Sequence, residues 1–525
     1  MRIRHSLFEI LRFPLEVLFA AAVLLGIGNL LSNPVFGIAG FINNDYAELF
    51  AEILIRTGQF LIANFPLFFM IRLVSRKTGS ATTVISAAAG YAVFLVTTMY
   101  LANGNLPDTA FSSILGISIS STSVESLSAS AHYPLQTGIF GPLLISFISL
   151  SCYTKTKKKD EYGILGFIAP DTTCTILTLF WSFIAGIAFS FAWPFIIYII
   201  EDIISFISVD TTNPVNLSLY GILNRLLGVM NLGALIRQPF WYTSAGGTWT
   251  SMSGTAIEGD VNVWTAQLSG SVLTSQAGRF FTPYYVLNIF AMPALIWAMY
   301  SLYTDKAERR RIRIAAILAT FASLLTGSLL PLEIVLLLLC PLLFAFHLAY
   351  TGFLYGLMQG LHIYLGYNST GTSTLTALPG TLPEMLSYLS HPALQKSLIG
   401  VLIIGLISAA VYFAVTRFYF RYLAADVFKT GEKEALIQET MEAAGGIENI
   451  RLTQSSISRL TLSLYEPDKL QIDKLRSLGI FRIYETRAGV NICLGASSTM
   501  VKNGIDQAMR NATRTVNTDS SEERQ

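Results

Sequence analysis

LLTGSLLPLEIVLLLLCPLLFAFHLAY, residues 324–350, decides the class of fold. A hydrocarbon core about 30 Å thick asks for about 20 apolar residues in a helix, and this run is long enough. Yet TGSLLPLE at 326–333 interrupts it with Gly327 and Pro331, residue types that break or bend helices. The stretch reads as a broken helix or a hairpin tip at membrane depth, where non-helical backbone survives only beside protein or a watery cavity. It also carries a carboxylate, Glu333, and a charge inside an apolar run costs at least about 2.5 kcal/mol on insertion scales. Interrupted spans of this kind point to a solute-binding site in a transporter. Glu333 is therefore a candidate binding group; the alternative is a structural carboxylate that caps the hairpin backbone.

The same character extends outward. Of 525 residues, 52% are hydrophobic and 13% charged, against about 25% charged in soluble domains, and the mean hydropathy is +0.54. This is the composition of an integral membrane protein. Segments of span length lie at 14–32, 51–71, 81–101, 135–153, 173–200, 216–236, 281–303, 313–330, 332–366 and 397–416. The fold class expected is a polytopic α-helical membrane protein of about ten membrane segments with re-entrant hairpins. Stretch 332–366 holds either one long tilted helix or more than one element. A net charge of +2 offers no basic surface for nucleic acid. Cys152, Cys174, Cys340 and Cys493 are too far apart for a metal site or a disulfide framework. Neither metal nor cofactor is expected.

Basic clusters set the expected topology. Arg2, Arg4 and Arg12 precede a retained first span. Arg72, Arg76 and Lys77, then Lys155 to Lys159, Lys306 to Arg313, and Arg417 with Arg421 close later ones. The positive-inside rule puts all of them, with both termini, in the cytoplasm. Crossings then fail to count between 201 and 306 and between 313 and 417, so each region holds a re-entrant element or a hidden partial crossing. Arg225 and Arg237 lie in or beside apolar stretches, with Asn224, Asn231 and Gln238 nearby. These are candidate cavity groups, although an arginine near a span end can snorkel to the interface. Segment 237–280 is rich in Ser, Thr, Gly and Trp, so Trp241, Trp249 and Trp264 are either sugar-stacking platforms or, more in keeping with their setting, interfacial anchors. His347 and His362 read as packed, hydrogen-bonded histidines in helical sequence. NST at 368–370 is an N-x-T sequon of little weight.

After Arg421 the composition turns soluble. We read residues 1–425 as the membrane domain, 426–440 as a linker, 441–512 as a small α/β domain with an antiparallel sheet and 513–525 as a disordered tail. ISRLTLSLY at 457–465 alternates as a half-buried strand, DKLQIDKLRSLG at 468–479 has helical spacing ended by Gly479, and FRIYETRAGVNICLG at 481–495 reads as a hairpin turning near Ala488 and Gly489.

Within that domain, GGIENIRLTQSSISRL at 445–460 and GVNICLG at 489–495 resemble the EIIB domain of the glucose and maltose branch of the bacterial sugar phosphotransferase system, whose signature runs GGxENIxxxxxCxTRL. The phosphocysteine position is Ser456, and Arg459 matches the arginine that would neutralise phosphate. A thiol of reference pKa about 8.5 is readily made a thiolate, whereas a serine needs an adjacent base. Only Glu448 among His, Asp and Glu stands in the ten residues before Ser456. The membrane domain is similar to EIIC of the same branch: residues 324–350 look like LTGITEPIEFxxxFxxPxLYxxHxxxxG, and QTGIFG at 136–141, FAWP at 191–194 and NPVNLSLYGILNR at 213–225 match further landmarks. Several groups that the resemblance assigns to the sugar site differ. Leu330 stands for the first glutamate of T-E-P, Asn224 for the glutamate of Y-G-x-x-E-R, Asn231 to Ala234 for G-L-H-H, and Ser80 for an aspartate. The substrate-binding candidates are Glu333, Asn224, Arg225, Asn231 and Arg237.

The resemblance implies a divergent EIIC–EIIB sugar permease of the bacterial inner membrane, homodimeric, moving a sugar or related small solute without phosphorylating it through its own EIIB domain. A competent homologue would be a protein-phosphocysteine sugar phosphotransferase. The alternative is a membrane sensor or scaffold whose unphosphorylated EIIB-like domain docks a cytoplasmic phosphotransferase protein or transcription regulator. Phosphotransfer through Ser455 or Ser458 is a third and weaker reading.

Overall fold

The computed structural model describes residues 2–32, 45–102, 106–111, 133–156, 170–251, 254–270, 276–303, 306–367, 379–423, 430–478, 480 and 483–522. Lys157 to Lys159 and the sequon at 368–370 lie outside them. Apolar sequence of span length becomes helix, and the breaks fall where the chain has Asn, Gly or Pro. Helix α1 (Arg2–Ser32) packs along α2 (Asp45–Ala63), which bends by 53° at Asn64 into α3 (Phe65–Thr78), with Pro66 in the first turn of α3. Helices α4 (Ala81–Leu101), α5 (Phe140–Thr156) and α6 (Pro170–Ser208) follow.

Expected segment 216–236 is two helices, α7 (Pro214–Val229) and α8 (Gly233–Tyr242), with Asn231 between them at φ 58°. Asparagine tolerates that left-handed backbone, which ends one helix and starts another. A two-stranded hairpin, β1 (Thr248–Thr250) with β2 (Ala256–Glu258), leads to α9 (Asp260–Ser269). Helix α10 (Thr282–Ser301) carries a π-helical turn at Leu287–Ala291. Helix α11 (Lys306–Thr326) stops at Gly327, whose φ of 66° glycine adopts freely. Then come α12 (Leu330–Leu339), α13 (Pro341–Gly360), the short α14 (Leu382–Ser387) and α15 (Gln395–Phe418).

Stretch 332–366 is thus more than one element, because Pro341 ends α12 at Cys340 and begins α13. Among the described residues six helices have the length and apolarity of a span, seven if the bent α2–α3 pair counts as one. The remaining expected segments are shorter or broken pieces. His362 is not helical; it sits past the end of α13 at φ 52°.

The elements that follow α15 run from Thr430 to Glu522. Helix α16 (Thr430–Ala443) occupies most of the expected linker and buries Leu436 and Ala443 in the domain core. Strands β3 (Ile450–Ser455), β4 (Arg459–Leu464), β5 (Ile483–Thr486) and β6 (Gly489–Cys493) form an antiparallel sheet in the order β3-β4-β6-β5, with α17 (Ile472–Ser477) before β5. Alternate residues Leu460, Leu462 and Leu464 face the core, as the period of two requires. Helix α18 (Ser498–Glu522) adds Val501 and Ile505 to that core and runs into the stretch expected to be a disordered tail as far as Glu522. Once its first turns are anchored, each further residue adds a backbone hydrogen bond at little cost.

Candidate functional site

Two close helix contacts position the site. Gly221 of α7 lies against the Tyr355 ring, where a Cβ would come within 2.3 Å, and Gly352 of α13 lies against Ile222 and the Ser218 carbonyl. Small residues let α7 and α13 approach closely, as membrane helices do when packing alone holds them. That approach lets Arg225 of α7 and His347 of α13 reach one carboxylate, Glu333, which the break at Gly327 delivers in the first turn of α12. A helix N-terminus favours a carboxylate there.

Glu333 Oε1 lies 3.4 Å from Arg225 Nη1 and 3.2 Å from His347 Nε2. His347 Nδ1 is 2.7 Å from the Tyr412 hydroxyl. A neutral ring that donates Nε2–H to the carboxylate accepts the Tyr412 proton at Nδ1, which satisfies both neighbours. The Arg225 guanidinium stands over the Tyr284 ring at 4.2 Å, and Asn224 Nδ2 donates to the Tyr284 hydroxyl at 2.7 Å. All of these side chains are buried. Arg237 donates Nε–H to the Gly233 carbonyl at 3.1 Å, lies 5.7 Å from the Trp241 ring centre, and acts on Glu333 through its charge. Asn224, Arg225, Arg237 and Glu333 therefore converge. Asn231 instead donates to the Ala63 carbonyl at 3.0 Å, tying the α7–α8 break to the α2–α3 bend.

Four residues of this region escaped the sequence reading. Tyr284 and Tyr412 carry no signal, since tyrosine is ordinary in a span. Asn288, a lone amide in an apolar segment, did carry one: its Nδ2 faces the carbonyls of Gly327, Pro379 and Gly380 at 3.1–3.2 Å and pins the helix break. Asp260 is 2% exposed, and its carboxylate accepts N–H bonds from Gly278 and Phe280. Burial pushes the Asp260 carboxyl up to about 7, against the pull of Arg279 and of those N–H groups. It borders a cavity of about 280 Å³, also lined by Trp249, Gln276 and Arg279.

Trp241 and Trp264 are not interfacial anchors. Both are buried, because each indole N–H reaches a tyrosine hydroxyl, Tyr220 and Tyr388 respectively. The altered landmark residues have structural work. Ser80 accepts the Thr83 N–H and caps α4, and Leu330 packs on the main core. His347 is packed and hydrogen-bonded. Among the described residues no three His, Cys, Asp or Glu side chains cluster as a metal site.

At the other candidate centre, Ser456 is 3% exposed in the turn between β3 and β4. Its N–H donates to the Arg459 carbonyl at 2.8 Å, its Oγ lies 3.4 Å from the same carbonyl, and the Arg459 N–H donates to Oγ at 3.1 Å. The adjacent Ile457 packs against the core of the membrane domain. The hydroxyl is thus part of the turn's own hydrogen bonding.

The family model described as phosphotransferase system, EIIC matches residues 8–352. The glucoside-specific EIICBA component of the phosphotransferase system of Staphylococcus carnosus (strain TM300) is 28% identical over 517 residues, covering 95% of this chain and 72% of that protein. The glucose-specific EIICBA component of Staphylococcus saprophyticus subsp. saprophyticus is 27% identical over 519 residues, with the same coverage.

Proposed function

The chain belongs to the phosphotransferase-system EIIC family, and from that premise we propose that it translocates a sugar or related small solute without phosphorylating it through its own C-terminal domain. The observation that carries this reading is Ser456. A hydroxyl becomes a nucleophile when a base takes its proton; here both neighbours of Oγ are backbone groups of Arg459. Solute binding is assigned to the buried centre of Arg225, Asn224, Glu333 and Arg237. Both termini and the C-terminal domain are placed on the cytoplasmic side of a bacterial membrane, supported by Arg76, Lys77, Lys155 and Arg417 in the last turns of α3, α5 and α15. The homodimer is carried over from the family resemblance.

A second reading has its own support. Leu452, Tyr465 and Tyr484 are 49%, 66% and 51% exposed on the C-terminal domain, and large exposed apolar side chains suit a docking surface. In that reading the domain holds a cytoplasmic phosphotransferase protein or regulator while the membrane domain senses solute. Proteoliposomes carrying the full chain, offered a panel of radiolabelled sugars, separate the two. Saturable uptake supports the permease; a regulator retained by the full chain in nanodiscs, with no uptake of any sugar, supports the sensor.

A further inference from the structure

We propose that the Arg225 centre takes the anionic group of a charged sugar, a carboxylate or a phosphate, as the ligand that completes it. The inference rests on assigning solute binding to this centre and adds the class of solute. Three faces of the Arg225 guanidinium have different fates. Nη1 meets Glu333, and the plane lies on the Tyr284 ring. The remaining edge, Nε and Nη2, is buried and has no hydrogen-bond partner among the described residues. Those two N–H groups are the parallel pair with which an arginine grips a carboxylate or phosphate in bidentate fashion. Cation–π contact uses the face of the ion and leaves this in-plane fork available.

Charge balance points the same way. Arg225 and Arg237 both act on Glu333, and that one carboxylate oxygen is shared with His347. Asn224 and Leu330, at the flanks of the centre, are uncharged. One positive charge is left over in an apolar setting, and such a charge pairs with a counter-ion or faces a watery cavity.

Room for a ligand lies on the same helix face. Gly228 is three residues after Arg225, so the two are neighbours on α7, and a Cβ at Gly228 would meet nothing within 4 Å. Gly233 follows across the break, and the Arg237 Nη2 lies 2.6 Å from where its Cβ would be. Open space therefore lies beside Gly228, while the Arg237 guanidinium covers Gly233.

The test uses the full chain in nanodiscs, titrated calorimetrically with D-glucuronate, D-glucose 6-phosphate and D-glucose, and the same chain in proteoliposomes for uptake. The first arm probes a carboxylate, the second a phosphate, and the third the same ring uncharged. At least one charged sugar is expected to bind tenfold or more tightly than glucose. Arg225→Gln is expected to weaken that binding by on the order of 30-fold or more, the usual result of truncating one partner of a buried hydrogen-bonded charge pair. Arg225→Lys keeps the charge and loses the fork, so most of the preference goes with it. Should Arg225→Gln fail to fold, the glucose ratio of the wild type and its loss in Arg237→Gln carry the same information. Glucose binding as tightly as both charged sugars, or binding of neither charged sugar, overturns the proposal. Selective binding of a charged sugar without uptake of any sugar leaves the inference standing and removes the permease; uptake of glucose without charged-sugar preference does the reverse.

Discussion

Replacing Glu333 with Gln keeps the volume of the side chain and removes only its charge. At the 3.4 Å separation from Arg225, an effective dielectric near 20 gives an attraction of about 5 kcal/mol. Because the pair is buried, part of that attraction offsets desolvation, and breaking one partner leaves an uncompensated ion at a net cost of about 3 kcal/mol. His347 also loses its ionised acceptor, so the chain through Tyr412 loosens. In a domain of this size the change lowers the thermal midpoint by about 3 °C. The assay is thermal unfolding of the purified chain in detergent, run as a double-mutant cycle with Arg225→Met. Removing both charges should recover at least about 2 kcal/mol of the sum of the single losses, the coupling expected of residues in contact. A midpoint for Glu333→Gln within 1 °C of wild type, or strictly additive single effects, would refute the claim that Arg225 and Glu333 are a coupled buried pair.

Asp260→Asn tests the buried carboxyl of the α9 loop. Its folded pKa of about 7 lies above an unfolded value of about 3.9, so the folded state holds its proton more tightly, and stability present below pH ~4 is lost as pH rises through 7, by about 4 kcal/mol at most. The wild type should lose thermal stability between pH 4 and 8 relative to Asp260→Asn, and parallel pH profiles would contradict this. Asn288→Ala removes the donor shared by the Gly327, Pro379 and Gly380 carbonyls and should cost about 2 kcal/mol, read as faster hydrogen exchange across 324–332; unchanged exchange there would show that the break holds itself. Gly327→Ala forces a Cβ into φ 66° at a cost of about 1–2 kcal/mol, so its midpoint should fall while that of Gly360→Ala, which has open space around it inside α13, should not.

Hydropathy made the membrane domain legible because span length is a count of apolar residues, and counting needs no geometry. Where chains break inside apolar sequence is harder to read. Gly327 with Pro331 announced itself, and the break at Cys340 before Pro341 was one of two readings left open, whereas Asn64 and Asn231 broke segments that the count treated as whole. The break at Cys340 had a signal, since the residue before proline avoids helical backbone; at Asn64 the residue before Pro66, Phe65, is already helical, and the turn at Asn231 depends on a single left-handed residue and on Ala63, far away in sequence. Arg225 and Glu333 stood out as ionisable groups in apolar surroundings, but their pairing spans more than a hundred residues and leaves no local trace. Tyr284 and Tyr412 were invisible for the same reason. In the C-terminal domain the strands followed their alternation. Helix α16 was read as linker because its polar composition hides Leu436, which joins the core of this domain.

The most direct test of the account is chemical. Proteoliposomes containing the full chain would be supplied outside with radiolabelled sugars, and on the C-terminal-domain side with the soluble phosphotransferase proteins and 32P-phosphoenolpyruvate. The luminal sugar and the protein are then analysed separately. The sugar should be recovered chemically unchanged, with no 32P on the chain at Ser456. A phosphorylated sugar whose formation requires this chain and tracks 32P-phosphoserine at position 456 would contradict it.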